Sequence, residues 1–268
     1  DFKIYWNKFA IGKLVPGKDY LNPSFELIVD EILEQNQKQK LINFIEKWIK
    51  NKINTVLESL IDLKDLKEKN SSVKALSYQL YENNGVLKRD QVSEYLKNLG
   101  QSERKILRDL GVKFGRYHIF LHKLIKPEAV SLRTLLWKNY HQKYFDLKPP
   151  TFGLNFLENK NFKNANFMLL CGFEKFDNFY VRIDILERLF MQIINSEKEI
   201  KMIPEMLNLL GCSKENFKKL LKSMNYKVIE KNDDIFFKYF PKKLSKKPSI
   251  KKIRKESPFE ILKNLNLN

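Results

Sequence analysis

The clearest pattern of hydrophobic and polar positions lies near the middle of the chain, where two short apolar stretches lead into an amphipathic segment. Gly115-Arg116 separates the two stretches and is a turn sequence. Pro127 suits the first position of a helix, where its missing N–H costs nothing. The pattern therefore predicts a β-hairpin followed by a helix. The residues that carry it are Val112, Phe114, Ile119 and Leu121 in the strands and Ala129, Leu132, Leu136 and Tyr140 at helical spacing.

Three shorter helical patterns precede this hairpin. The first follows Asn70-Ser71-Ser72, whose side chains can cap a helix, and the second follows a turn at Gly85. The third begins at Ser102-Glu103 and ends at Gly111. Three helices followed by a hairpin is the order of elements in a winged-helix module. We therefore expect residues 70–143 to form a helical module with a hairpin, of the winged-helix type.

A similar order of elements returns nearer the C-terminus. Alternation over residues 173–182 predicts a hairpin, a helical pattern follows it, and Pro204 begins a short helix. Ser213 caps a further helix, and two apolar stretches then flank the turn sequence Lys231-Asn232-Asp233-Asp234. These patterns predict a second winged-helix-like module over residues 167–240.

Turns and composition give predictions for the other segments. Residues 1–22 are expected to be a hairpin that closes an upstream domain, and residues 144–166, which are rich in Asn and Lys, are expected to be a linker. Asn22-Pro23 is a typical helix start, so residues 23–69 are predicted to form a helical hairpin, used as a scaffold or as a coiled-coil arm. Residues 241–268 are predicted to be a basic disordered tail whose last segment is either a short docking helix or a frayed end. The predicted fold class is mainly α with small β-hairpins, in a multi-module region with one or two winged-helix-like modules.

The charge balance indicates a polyanionic partner. The chain has 50 Lys and Arg against 32 Asp and Glu, which gives a net charge of +18. Nucleic acid is the simplest partner for such a chain, and an anionic membrane surface is the other class. A general drift toward lysine, which the many Asn and Ile residues also suggest, is the alternative explanation of this excess.

Cysteine content and hydropathy bear on the cellular compartment. Cys171 and Cys212 are far apart in the sequence, which excludes a disulfide framework and favours reduced thiols in a cytoplasmic protein. The sequence has no apolar run of membrane-spanning length and no leader peptide pattern, so no membrane association is expected. Because the first residue is Asp1 and not Met, we interpret the chain as part of a longer polypeptide.

Two motifs that could support catalysis or metal binding each lack a residue that the chemistry requires. Residues 12–19 fit the spacing G-x-x-x-x-G-K, but Asp19 stands where a P-loop needs a hydroxyl to hold Mg²⁺. His118 and His122 lie four residues apart, but neither has an acidic or thiol partner at the spacing that zinc ligands require. We therefore predict no catalytic residue, no metal site and no cofactor site in this chain.

Two basic clusters are the candidate binding residues. In the predicted helix after Ser213, lysines recur every four residues on the side opposite the apolar positions, as a helix lying on phosphates requires. A solvated lysine face has the same pattern, so both interpretations remain open. The second cluster combines arginines with aromatic residues, which can bind phosphates and stack on bases. The candidate residues are Lys214, Lys218 and Lys222 in one cluster and Arg104, Lys105, Arg108, Lys113, Arg116 and Tyr117 in the other.

Five stretches of the chain carry a resemblance to a known family. They are residues 12–17, 110–137, 181–189 and 204–213, and Ser257-Pro258-Phe259. They resemble the C-terminal accessory region of bacterial helicase-related proteins of the alphaproteobacterial type, which are similar to the DExH-box ATP-dependent RNA helicase of the mitochondrial degradosome.

This resemblance implies a function, but the stretches that carry it are structural and contain no catalytic motif. It implies an accessory region that guides nucleic acid leaving an upstream helicase motor, with RNA favoured over DNA. ATP and Mg²⁺ would be bound by that motor, whose hydrolase motifs are not found in this sequence. The alternative expectation, from another functional class, is a protein-interaction scaffold that docks a nuclease or a ribosome.

Overall fold

A computed structural model describes residues 2–28, 34–67, 70–158, 164–193, 199–231 and 234–240. Within these ranges the protein has ten α-helices, one short 3₁₀ helix and four antiparallel sheets of three strands each. The predicted combination of helices with small antiparallel sheets is confirmed. None of the helices in the described ranges is long and apolar enough to cross a membrane. The predicted basic tail, residues 241–268, lies outside the described residues.

The N-terminal segment is a three-stranded sheet, and the helix predicted to start at Asn22-Pro23 is wrong. Strands β1 (Lys3–Trp6), β2 (Phe9–Asp19) and β3 (Asn22–Leu27) pair in that order. The Asn22 Nδ2 amide donates a hydrogen bond of 2.8 Å to Asp19 Oδ1, which closes the β2–β3 turn. Proline is accepted here because β3 is an edge strand, where a missing N–H breaks no central pairing.

Two helices follow this sheet. Helix α1 (Gln35–Val56) and helix α2 (Glu58–Lys64) are separated by Leu57. The buried face of α1 belongs to the same hydrophobic core as Leu21 and Phe25 of the sheet region. The segment is therefore packed into the body and is not a projecting arm.

The first module, residues 71–121, contains three helices and three strands. Asn70 caps its first helix by accepting hydrogen bonds from the N–H groups of Ser72 and Val73, as predicted. The strand after that helix was not predicted, because three residues are too few to show an alternating pattern. The sheet order is β4-β6-β5, with the last strand in the centre. The elements are α3 (Ser71–Glu82), β4 (Val86–Lys88), α4 (Ser93–Lys97), α5 (Gln101–Asp109), β5 (Val112–Phe114) and β6 (His118–Leu121).

The middle module, residues 127–182, follows a 3₁₀ turn at His122–Ile125. Its sheet order is β7-β9-β8, again with the last strand in the centre. Strand β7 lies inside the segment predicted to be a linker, so residues 144–166 include part of a module. The elements are α6 (Pro127–His141), β7 (Phe156–Glu158), α7 (Ala165–Leu170), β8 (Phe173–Lys175) and β9 (Phe179–Arg182).

The third module, residues 183–239, begins directly after β9. Its sheet order is β10-β12-β11, so the β8–β9 hairpin belongs to a different sheet from the strands that follow. The stretch predicted as one module from residue 167 thus spans two sheets. The elements are α8 (Ile183–Ile193), β10 (Ile200–Lys201), α9 (Pro204–Leu210), α10 (Lys214–Ser223), β11 (Tyr226–Lys231) and β12 (Asp234–Tyr239).

The junction between the last helix and the hairpin is the same in all three modules. Two residues after that helix ends stands a left-handed residue, which is Gly111 (φ 88°), Gly172 (φ 85°) or Asn225 (φ 63°). Each of these N–H groups donates to the carbonyl three residues earlier. Glycine and asparagine tolerate this conformation best. The shared junction gives a residue-by-residue register between the modules.

Arg133 on α6 links the first and middle modules. Its side chain is completely buried. Nη1 donates to the carbonyl of Asn84 at 2.8 Å, and Nη2 donates to those of Leu124 at 2.6 Å and Leu170 at 2.9 Å. Burial lowers the pKa of this guanidinium to about 10. One buried cation thus satisfies three carbonyl groups from separate segments of the chain.

Candidate nucleic-acid interface

The two basic clusters overlap at equivalent positions in the first and third modules, although Lys214 and Arg116 have no basic or aromatic match in that register and Tyr117 matches Lys231. Counting from the left-handed residue of each junction, four basic residues of the first module match four lysines of the third. Clusters that look unrelated in the sequence are therefore the same face of two similar modules. The matched pairs are Arg104 with Lys218, Lys105 with Lys219, Arg108 with Lys222, and Lys113 with Lys227.

Three of the four matched positions are exposed in both modules. We call Lys105, Arg108 and Lys113 the first basic face, and Lys219, Lys222 and Lys227 the third basic face; all six are exposed. Lys105 and Arg108 also line a shallow hollow of about 490 Å³. The helical spacing alone missed Lys219 and Lys227, which the register between the modules identifies.

The fourth matched position is tied to the protein in both modules. Arg104 donates through Nε to the carbonyl of Leu99 at 3.1 Å and through Nη2 to that of Leu96 at 2.9 Å, so it caps the end of α4. Lys218 is half-buried and forms an ion pair of 2.9 Å with Glu230 on β11. Both side chains have structural partners. The exposed Lys214 lies at the start of α10, outside the matched set.

The remaining candidates of the first cluster lie around the β5–β6 turn. Arg116 is exposed, and its guanidinium carbon lies 5.4 Å from the ring centroid of Tyr239 in the third module. Tyr117 packs edge-on against Phe190 at 4.8 Å, and burial raises the pKa of its hydroxyl. The Tyr117 ring therefore contributes to the contact between modules instead of facing solvent. Phe114 is also occupied, since Arg104 and Arg108 lie 5.9 and 5.8 Å from its ring centroid.

A cleft of about 520 Å³ opens between the first and third modules. One wall comes from the first module, with Arg116 at its tip, and the other comes from the end of α10 and of β12. The middle module contributes a carboxylate and a ring from its own hairpin. The lining residues on which the argument depends are Lys88, Arg89, Asp90, Arg116, Glu174, Phe176 and Tyr239.

Two arginines, Arg89 and Arg116, line this cleft. Arg89 donates through Nη1 to the carbonyl of Gly115 at 2.6 Å. Burial lowers the pKa of Arg89, and the positive charges of Arg104 and Arg116 lower it further. Cations that lie close together repel one another, and a bound anion would reduce this unfavourable electrostatic free energy. Sequence reasoning missed Arg89, although its position next to Lys88 was a usable signal.

A buried charge network lies under the cleft and joins all three modules. His118 of β6 lies between two carboxylates, with Nδ1 3.0 Å from Glu187 Oε1 of α8 and Nε2 3.3 Å from Glu174 Oε2 of β8. Lys88 forms an ion pair of 2.6 Å with the other oxygen of Glu174. Burial opposes the charged form of His118, but the hydrogen bonds and charges of Glu174 and Glu187 outweigh it and raise the pKa. Burial likewise opposes the charged form of Glu174, but His118 and Lys88 outweigh it and lower that pKa.

Glu187 also holds the β5–β6 turn through the backbone. Its carboxylate accepts the N–H groups of Arg116, of Tyr117 at 2.9 Å and of His118 at 2.7 Å. A Cβ at Gly115 would collide with this carboxylate, so the turn needs glycine for close approach and not for an unusual φ. The position of Arg116 on the cleft is therefore fixed by a residue of the third module.

The structure gives His118 partners that the sequence did not indicate. His118 does have acidic partners, but they are distant in sequence, and within the described ranges no group of three potential metal ligands was found. Burial raises the pKa of the Cys171 thiol to about 12 and that of the Cys212 thiol to about 11, which disfavours nucleophilic thiolates. Residues 12–19, which fit the P-loop spacing in part, lie on strand β2.

No family model, no curated protein and no solved structure matches this chain.

Proposed function

We propose that this chain is a nucleic-acid-guiding accessory region of an ATP-dependent helicase of the DExH-box type, with RNA favoured over DNA. The observation that carries the binding part of the proposal is the match between the first and third basic faces. Both faces present exposed cations at three equivalent positions. Lysine drift would scatter charges without regard to the register, whereas exposed cations on the same face of two modules are suited to contact a phosphate backbone.

We further propose that the modules are of the winged-helix type. The first and third modules have the order helix, strand, two helices and a two-stranded hairpin, with the final strand in the centre of the sheet. In winged-helix modules the last helix is the one that contacts nucleic acid, and the hairpin is the wing. Helices α5 and α10, which carry most of the two basic faces, occupy that place in the order.

The helicase part of the proposal is supported by the resemblance of the sequence stretches. An accessory region behind a motor would need to hold the strand by its backbone without fixing its sequence, because the strand must move. Exposed lysine and arginine side chains are suited to this task, since phosphate contacts carry no sequence information. ATP and Mg²⁺ would belong to the motor, and the proposed partners of this chain are nucleic acid and that motor.

The test is the salt dependence of RNA binding in two triple variants. One variant replaces Lys105, Arg108 and Lys113 with Gln, and the other replaces Lys219, Lys222 and Lys227. Log affinity falls with log salt, and each lost phosphate contact should make this slope less steep by about 0.7 for a single strand. Each triple variant should therefore reduce the steepness of the slope by about two units. Three exposed lysines of α1, namely Lys40, Lys47 and Lys50, provide the matched control.

The outcomes separate the binding proposal from general charge. A slope that falls equally in the control would mean that total charge and not the two faces determines binding. An unchanged slope in both triple variants would contradict the proposal.

A second candidate function is supported by exposed aromatic residues at the turn between β1 and β2. Tyr5, Trp6 and Phe9 are 55%, 58% and 75% exposed around this turn. Exposed aromatic patches mark protein interaction sites. This observation favours a scaffold that docks a nuclease or a ribosome. The scaffold function would be favoured if the chain bound no RNA but bound a nuclease or a ribosome, and if replacing Trp6 and Phe9 with Ser abolished that binding.

A further inference from the structure

The Tyr239 ring at the end of β12 lines the cleft between the first and third modules. Tyr239 is 39% exposed, and the following Phe240 is 68% exposed. The buried Tyr226 packs against Tyr239 at 5.2 Å from within the third module, whereas Arg116 reaches over the Tyr239 ring from the first module. The Tyr239 ring is therefore supported from below and is accessible from the cleft.

Positive charge lies on the same wall. Arg116 is exposed and held in place by its backbone contact with Glu187, and Arg89 lies beside it. Lys88 is paired with Glu174, and Glu174 also contacts His118, so these charges are compensated within the protein. Asp90 is the exposed carboxylate of the cleft and disfavours phosphate on its own side. The charges place an anion on the arginine side.

The dimensions of the cleft select the form of the nucleic acid. Its volume of about 520 Å³ lies within the range of pockets that hold small ligands. A duplex keeps its bases stacked inside and cannot insert one into such a pocket without flipping it out. A single strand presents its bases freely, and proteins bind such strands by combining a basic groove with aromatic stacking.

We propose that this cleft binds single-stranded nucleic acid, with one base stacked on the Tyr239 ring and the adjoining phosphate held by Arg116. The inference rests on the proposed nucleic-acid function and specifies the form that the cleft accepts. The Arg116 guanidinium lies over the Tyr239 ring in the structure, and in the proposed complex its side chain turns toward the phosphate so that a base can stack there. The two basic faces then hold the strand on either side without selecting its form.

The test compares Tyr239→Leu with Tyr239→Phe, which keeps an aromatic ring. Fluorescence anisotropy would measure binding of an RNA of about 12 nucleotides, a length within the range of single-strand sites, and of the corresponding blunt duplex. Loss of one stacked base should reduce single-strand affinity about tenfold, with an unchanged salt slope. Tyr239→Phe should bind like the unaltered protein, and so should Tyr78→Leu, which removes an exposed tyrosine of α3.

A second variant keeps the proposal testable if Tyr239→Leu lowers the thermal stability of the third module. Arg116→Gln removes the phosphate contact and should lower the salt slope by about 0.7 for single-stranded RNA. A 2-aminopurine base in the RNA should be quenched on binding to the unaltered protein and less quenched with Tyr239→Leu.

The outcomes distinguish failure of the cleft from failure of the proposed function. Equal binding of duplex and single strand, with Tyr239→Leu and Arg116→Gln both neutral but the basic-face variants impaired, would overturn the cleft proposal alone. No salt-dependent binding of either RNA by the unaltered protein would overturn both proposals.

Discussion

The outer modules and the middle module share one order of strands but use the helix before the hairpin in opposite ways. In the first and third modules this helix presents cations to solvent. In the middle module the corresponding helix α7 has six residues, and it buries Phe167, Met168 and Leu170. The positions that match the basic faces are Asn166, Leu169 and Glu174. The same local architecture can therefore serve binding or packing, and side chains decide which.

The middle module contributes to the site through buried polar contacts. Glu174, at the position of Lys113 and Lys227, turns inward to contact His118 and Lys88. Arg133 ties the middle module to the first through backbone carbonyls. The middle module thus sets the spacing of the outer two. Four variants test how the outer and middle modules depend on these contacts.

The largest effect is expected from Glu187→Ala. This change removes the acceptor for three backbone N–H groups and leaves His118 without its nearer carboxylate. Breaking a buried, charged network of this kind costs about 3–5 kcal/mol of the free energy of unfolding. Urea denaturation would measure the loss. Glu205→Ala, at an exposed position of α9, is the control and should cost little. A Glu187 variant as stable as this control would show that the network does not hold the modules together.

A somewhat smaller effect is expected from Arg133→Met, which keeps much of the side-chain volume. Three carbonyl groups lose their donor, and unsatisfied buried polar groups cost about 1–3 kcal/mol each, partly offset because a buried cation is removed. We expect a net loss of about 3 kcal/mol in denaturant unfolding. Arg108→Met, at an exposed position, should leave stability unchanged. Equal stability of the two variants would mean that the middle module does not depend on this link.

The next prediction concerns pH. Because the pKa of His118 is raised above its ordinary value of 6.5, its protonation stabilises the fold fully below pH 6.5, and this contribution is lost as pH rises through the raised value. Because the pKa of Glu174 is lowered from 4.5, its contribution is present above pH 4.5 and is lost as pH falls. This network is therefore most stabilising between about pH 4.5 and 6.5.

Thermal unfolding of His118→Gln, measured from about pH 4.5 to well above pH 6.5, checks the prediction. The variant should lack the decline above pH 6.5, whereas His122→Gln, at an exposed position, should retain it. An identical pH profile in both variants would contradict the assignment to His118.

The smallest effect is expected from Asn166→Lys, which places a lysine at the position of Lys105 and Lys219. Asn166 is exposed, but the residues that follow it on α7 are buried and the two other matching positions carry no cation, so we expect the salt slope of RNA binding to change by less than the roughly 0.7 that one phosphate contact adds. A full increase would show that the middle module also faces the nucleic acid. In that case the outer and middle modules would differ in their surface charge but not in whether they face the nucleic acid.

Local signals predicted the elements that depend on a few neighbouring residues. The Asn70 and Ser213 caps, the proline start of α6 and the β5–β6 hairpin are confirmed. Strands β4 and β7 were missed because three residues form a strand only when a partner pairs with them. Strand β3 was mistaken for a helix start because the pairing that places Pro23 on a sheet edge involves the preceding strand.

The candidate site was predictable to a similar extent. Helical spacing found the lysine cluster, and the combination of arginines with aromatic residues found the other. Spacing could not separate the exposed Lys222 from Lys218, whose partner Glu230 lies on another element. It also gave no reason to connect Arg116 with Tyr239, which are more than one hundred residues apart. The equivalence of the two faces became visible only when the shared left-handed junctions set the register.

The sequence by itself determined the caps, the turns, the excess of cations and the amphipathic faces of the helices, because these depend on residue type and short spacing. The tertiary structure decided which cations remain exposed, which carboxylates surround His118, and where the cleft lies. Those properties depend on contacts between residues distant in the chain. Burial and pairing change the free energy of a charged group in ways that its neighbours in sequence do not report.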